Sequence, residues 1–164
     1  MRFAPTLLAL LVPAVAWSQA LPSVWDLQTP KDAPATLVYG PPTTPVIGFA
    51  CARKSGQILV RAQLVRSVAD HRVGEAWVDA AGIAGPWPAS VTFASSPAAS
   101  TLRGQAEAGP GGAGTAVTTE ISTAAPVIQA FGKTGVISLT ALSETVAPAV
   151  AKPGTVRKFL GVCR

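Results

Sequence analysis

Two cysteines constrain this chain more than any other feature. Cys51 closes an apolar, strand-like run, Val46-Ile47-Gly48-Phe49-Ala50-Cys51, and Cys163 is the penultimate residue. They lie 112 positions apart, so a bond between them encloses most of the sequence. With two cysteines a single intramolecular pairing exists. A redox pair or a thiolate metal site is the competing reading, but there is no C-x-x-C and no cysteine–histidine spacing to support either. The expectation is one disulfide, Cys51 to Cys163, pinning a short C-terminal helix onto an early strand. Closing so long a loop restricts the unfolded chain and contributes about 4–5 kcal/mol in the chain-entropy account.

Such a bond needs an oxidising compartment, and the N-terminus supplies the route. Residues 1–20 read as a secretory signal peptide. Arg2 is the positive start, Leu7-Leu8-Ala9-Leu10-Leu11-Val12 the apolar centre, and Pro13 its break. Two small-x-small sites follow, ending at Ala16 and Ala20, and cleavage after Ala20 is favoured. A membrane anchor is the alternative, but the apolar run falls short of the roughly 20 residues a span requires. No cysteine sits near either cleavage point, which argues against a lipidated N-terminus. The expected product is a single β-rich domain, 21–164, periplasmic or secreted, with no transmembrane segment.

Charge narrows the partners. The chain has 13 Lys and Arg against 8 Asp and Glu, a net charge of +5. The basic residues are scattered, with only Arg53-Lys54 and Arg157-Lys158 adjacent. Nucleic-acid binders cluster such residues on one face with aromatics between them, so no nucleic-acid partner is expected. A basic exported protein can touch anionic lipid or cell-wall polymer, although a soluble domain of modest positive charge is the simpler reading.

The apolar pattern is mostly that of strands. Trp25, in a lead-in over 21–31, is expected to cover one end of the core. Residues 35–39 form a short strand stopped by Gly40-Pro41-Pro42, where proline removes the donor a ladder needs. The cysteine strand, 46–52, turns through Arg53-Lys54-Ser55-Gly56 into 57–66. There Ile58, Val60, Ala62 and Leu64 alternate onto one face, which reads as a hairpin. Residues 73–80 suggest a strand with Trp77, 83–88 a loop with Trp87, and 89–95 another strand. The segments 101–108 and 115–122 flank a glycine-rich loop as a second hairpin.

A helix is expected from Pro126, with Val127, Ile128, Ala130 and Phe131 as its apolar stripe and Gly132 as its stop. Residues 136–142 and 144–150 follow as a strand pair. Last, Val156, Phe159, Leu160 and Cys163 recur at i, i+3, i+4 and i+7, one helical face, with Thr155 as N-cap. About eight strands with two short helices predict a mainly β fold, either a β-sandwich or a partly open barrel.

The layout Leu37-Val38-Tyr39-Gly40, then Cys51 and a glycine-turn hairpin, then Pro126-Val127-Ile128-x-Ala130-Phe131-x-x-Thr134-Gly135 and Phe159-Leu160-x-x-Cys163, resembles small exported proteobacterial proteins of unknown function. More distantly it is similar to the periplasmic VasI-type proteins associated with type VI secretion. The resemblance implies a β-rich domain closed by a cysteine-bearing C-terminal helix. It carries no catalytic residue onto this chain.

Candidate chemistry is thin. Gly109-Pro110-Gly111-Gly112-Ala113-Gly114 matches G-x-G-x-x-G, but Thr115-Ala116-Val117-Thr118-Thr119-Glu120 after it is strand-like. The dinucleotide fingerprint needs a helix there to meet the pyrophosphate. A flexible hairpin loop is expected instead. His71, the single histidine, adjoins Asp70, with Glu75 and Asp79 nearby. A triad needs an orienting carboxylate on one side of the ring and a serine on the other, and no nucleophile elbow exists. A solvated turn, Asp70-His71-Arg72, accounts for these residues more simply.

Eight acids leave a glycosidase-type carboxylate pair open without selecting one. Trp77, Trp87 and Tyr39 offer faces for stacking on a sugar or peptide, although aromatics in a small β-domain are more often core. The reading is therefore an exported, non-enzymatic β-domain that binds an envelope protein or cell-wall component. No catalytic, cofactor or metal residues are assigned. The alternative is a small envelope hydrolase using His71 or a carboxylate pair.

Overall fold

The computed structural model describes residues 24–41 and 43–164; the signal peptide read at 1–20 lies outside them. In chain order the strands are β1 (Trp25–Gln28), β2 (Ala35–Tyr39), β3 (Ile47–Cys51), β4 (Gln57–Leu64), β5 (His71–Val73), β6 (Ala76–Val78), β7 (Trp87–Ser95), β8 (Ala98–Ala108), β9 (Thr115–Ser122), β10 (Ser138–Ala141) and β11 (Glu144–Val146). The helices are α1 (Pro126–Thr134) and α2 (Pro153–Cys163).

Nine strands make one antiparallel sheet in the order β1-β2-β3-β4-β9-β8-β7-β10-β11, and β5 and β6 pair separately as a small hairpin. The sheet curls into a half-barrel. Of the two architectures expected from sequence, the partly open barrel is the one formed. The strand number exceeds eight because β1 pairs with β2 and because 73–80 is not one strand. Gly74 (φ 61°) turns that segment into the β5–β6 hairpin. His71 and Arg72 thus belong to β5 rather than to a turn.

Alternation decides which face is inside. Ile58, Val60, Ala62 and Leu64 of β4 are buried while Leu59 between them is exposed. Trp87, Ala89, Val91 and Phe93 of β7 do the same. Trp87 was expected in a loop, but it opens β7 and is 7% exposed, its indole N–H donating to the Ile83 carbonyl at 3.0 Å. The two helices supply the rest of the core: Phe131 from α1 and Phe159 from α2 are fully buried with Phe49 and Phe93. Gly132 does not stop α1. It is buried, and a Cβ there would stand 3.0 Å from Leu160 Cδ1, so its smallness lets α1 and α2 pack closely. Gly135, left-handed at φ 73°, ends the helix. α2 begins at Pro153 with Lys152 as N-cap, three residues ahead of the expected cap, Thr155.

Cys51 and Cys163 are bonded, with their Cα atoms 5.6 Å apart. The β3–β4 turn also receives the end of α2. Lys54 N–H donates to the Val162 carbonyl at 3.0 Å, and Gly56 N–H donates to the Cys163 carbonyl at 2.8 Å. These bonds satisfy carbonyls that a helix end otherwise leaves open.

Two further contacts hold the curl. The Trp25 indole packs on Tyr39, Phe49 and Phe131, and its N–H donates to the Ala149 carbonyl at 2.6 Å. That ties β1, one sheet edge, to the segment following β11, the other edge. The Glu144 carboxylate accepts from Val65 N–H at 2.8 Å and Arg66 N–H at 2.9 Å, fastening β11 to the end of β4. No described helix is long and apolar enough to cross a membrane.

Candidate functional site

The outer face of β3 and β4 carries a depression. On that face Gly48 stands between Val38 of β2 and Arg61 of β4 in the cross-strand register. A glycine inside a strand leaves a gap in the row of side chains. Arg61 and Gln63 alternate outward from β4 and, with Gly48, form the floor. Thr43, Thr44 and Pro45 of the β2–β3 connection make one wall; Pro110 and Ala113 of the β8–β9 connection make the other. The groove holds about 440 Å³.

Both walls are held by their own backbone. Val46 N–H donates to the Tyr39 carbonyl at 2.8 Å, and Thr44 N–H to that of Pro41 at 3.2 Å. Across the groove Gly109 N–H donates to the Gly114 carbonyl at 3.0 Å and Gly112 N–H to that of Gly109 at 2.9 Å. The glycine-rich loop joins β8 to β9 as a hairpin connection, as expected, and closes on itself through these bonds. A Cβ on Gly112 would lie 2.3 Å from the Trp77 ring, so the glycine is what lets Trp77 press against the loop. The Arg72 guanidinium covers the same indole, 5.6 Å from the ring centroid. β9 follows at Thr115, so no helix N-terminus faces this loop.

Arg61 dominates the groove electrostatically. Its guanidinium is 3.9 Å from the Glu107 carboxylate, and both side chains are more than half exposed. An exposed pair at that distance contributes little. Arg61 is therefore free to exchange Glu107 for a better-placed carboxylate, which its planar fork binds through two parallel hydrogen bonds. The proline and threonine walls offer apolar contact to whatever carries that carboxylate.

Apart from the Gly109–Gly114 loop, which supplies a wall, the residues singled out from sequence do not line the groove. His71 Nδ1 is 3.0 Å from Asp70 Oδ2, and both side chains are more than half exposed. Asp79 is occupied by the Ala81 and Ile83 amides, and Glu144 by those of Val65 and Arg66. Among the described residues no three His, Cys, Asp or Glu side chains gather closely enough to hold a metal ion. Trp77, Trp87 and Tyr39 are packed, Tyr39 against Trp25 with ring centroids 5.4 Å apart. Trp87 is buried, Trp77 and Tyr39 are half-buried, and Trp77 and Trp87 line a shallow depression with Pro86 and Glu107.

The groove itself was missed. Gly48 inside an apolar strand was its one local signal, and only the pairing of β3 with β4 brings Arg61 beside it. Compared with known protein families, curated proteins and solved structures, the chain finds no match.

Proposed function

We propose that this chain is an exported, non-enzymatic binding domain of the cell envelope, whose groove takes a carboxylate-bearing partner such as a cell-wall peptide. The observation that carries the reading is the floor of Gly48, Arg61 and Gln63 between two walls held by backbone hydrogen bonds. Export is supported by the leader-like sequence at 1–20 and by the Cys51–Cys163 bond, which suits an oxidising compartment.

The test is a titration of short alanine-rich peptides with free carboxylates into isotopically labelled protein, read by amide chemical shifts. Shifts should concentrate at Gly48, Gln63 and Ala113. Arg61→Gln should weaken binding roughly tenfold or more, the usual consequence of losing a charge-assisted hydrogen bond. Amidation of the peptide carboxylate should weaken it comparably. Shifts confined to other regions, or an Arg61→Gln protein that binds like the wild type, would refute the assignment.

A further inference from the structure

A second surface gathers apolar side chains in the open. The 147–150 segment, Ala-Pro-Ala-Val, contains no polar side chain, and Ala147, Ala149 and Val150 are exposed. Two bonds bring other exposed valines to it. The Trp25 indole N–H reaches the Ala149 carbonyl, which brings the start of β1, with Val24 before it, alongside the segment; Ala151 N–H donates to the Gly135 carbonyl at 2.8 Å, which sets Val136 beside Val150. Val24, Val136 and Val150 are 58%, 47% and 66% exposed. The other exposed large apolar residues, Leu59, Val65, Val73 and Ile83, belong to different parts of the chain.

Cations stand close to Val136 and Val150 along the chain. Lys133 lies two residues before Gly135, and Lys152 directly follows Ala151. Arg157 shares with Lys133 and Arg164 the cleft between α1 and α2. Neither helix contains an acid. Glu144 is engaged with the Val65 and Arg66 amides, and Asp26 accepts from the Gln28 side chain.

We infer that this face docks on an anionic phospholipid surface, the valines entering the headgroup boundary and Lys133, Lys152 and Arg157 meeting phosphates. Peripheral membrane attachment combines these two ingredients, since buried apolar area and basic charge add. A hydrophilic anionic polymer satisfies the cations but gives the valines nothing. The inference is independent of the groove at Arg61.

The test is flotation of the disulfide-bonded exported protein with vesicles of phosphatidylcholine, alone or mixed with phosphatidylglycerol. Binding should require phosphatidylglycerol and fall with added salt. Lys133→Gln and Lys152→Gln should each lower the partition coefficient about fivefold. Val136→Ser and Val150→Ser should lower it severalfold, while Val73→Ser, on β5, leaves it unchanged. Unaltered melting temperatures show that each variant is folded, and Arg61→Gln should float like the wild type. Absence of binding to anionic vesicles overturns the inference. So does a pattern in which the lysines matter and both valines do not, which identifies a soluble anionic polymer instead.

Discussion

Glu144 and two of its neighbours show how single residues hold the curl. The β10–β11 turn consists of Leu142 (φ 52°) and Ser143 (φ 64°), both left-handed, where asparagine and glycine are the usual choices. Each departure costs about 1–2 kcal/mol. The Glu144 carboxylate, bonded to two amides of the chain leaving β4, helps to hold that turn in place. Glu144→Ala should lower stability by about 1.5–3 kcal/mol, the range for bonds to a charged acceptor, read as a shift of the urea midpoint. An unchanged midpoint would mean that water serves those amides equally well. Glycines give a second residue-scale contrast. Gly135 is left-handed, and a Cβ there would meet the Ala151 carbonyl oxygen at 1.9 Å; Gly161, inside α2, faces open space. Gly135→Ala should therefore cost more than about 2 kcal/mol, and Gly161→Ala should stabilise by about 0.5–1 kcal/mol.

At the scale of elements, α2 is the piece most completely explained by its own sequence. The i, i+3, i+4, i+7 pattern places Val156, Phe159, Leu160 and Cys163 inward, and all four are buried. Phe159→Ala should destabilise by about 3–5 kcal/mol, because it empties a large fully enclosed site. Arg157→Ala and Lys158→Ala, on the open face, should stay within about 0.5 kcal/mol. Equal small effects for all three would make α2 an appendage. Its start was harder to read. Thr155 suits an N-cap, but Pro153 is compatible with a first turn, and the helix takes the three extra residues 153–155. α1 shows the same kind of difference at its other end. Gly132 resembles a stop signal in one dimension, yet it serves as a close-contact point with Leu160, and Gly135 is the stop.

For the whole molecule the disulfide matters most, since it joins β3 to the last helix across 112 residues. Reduction should lower the unfolding free energy by about 4–5 kcal/mol on the chain-entropy account. The check is the denaturant midpoint with and without reductant, beside a Cys51→Ala/Cys163→Ala variant. Both should fall together. A midpoint insensitive to reductant would show that packing of Phe159 and Phe131 against the sheet carries the closure alone.

The sequence by itself determined the β-rich character, the inward face of β4, the β3–β4 and β8–β9 hairpins, and the Cys51–Cys163 pairing. Each rests on local periodicity, turn chemistry or the arithmetic of two cysteines. Only the tertiary structure decided that β9 returns to β4, that β10 crosses to β7, and hence that one sheet curls rather than two sheets stacking. It also decided that Gly48 and Arg61 share a groove floor, and that the Ala151–Gly135 hydrogen bond brings Val150 beside Val136. These juxtapositions join residues well separated in the chain. No periodicity encodes them, because a strand with one apolar face satisfies its local pattern beside many partners. The partner is chosen by the packing of the whole core around Phe49, Phe93, Phe131 and Phe159.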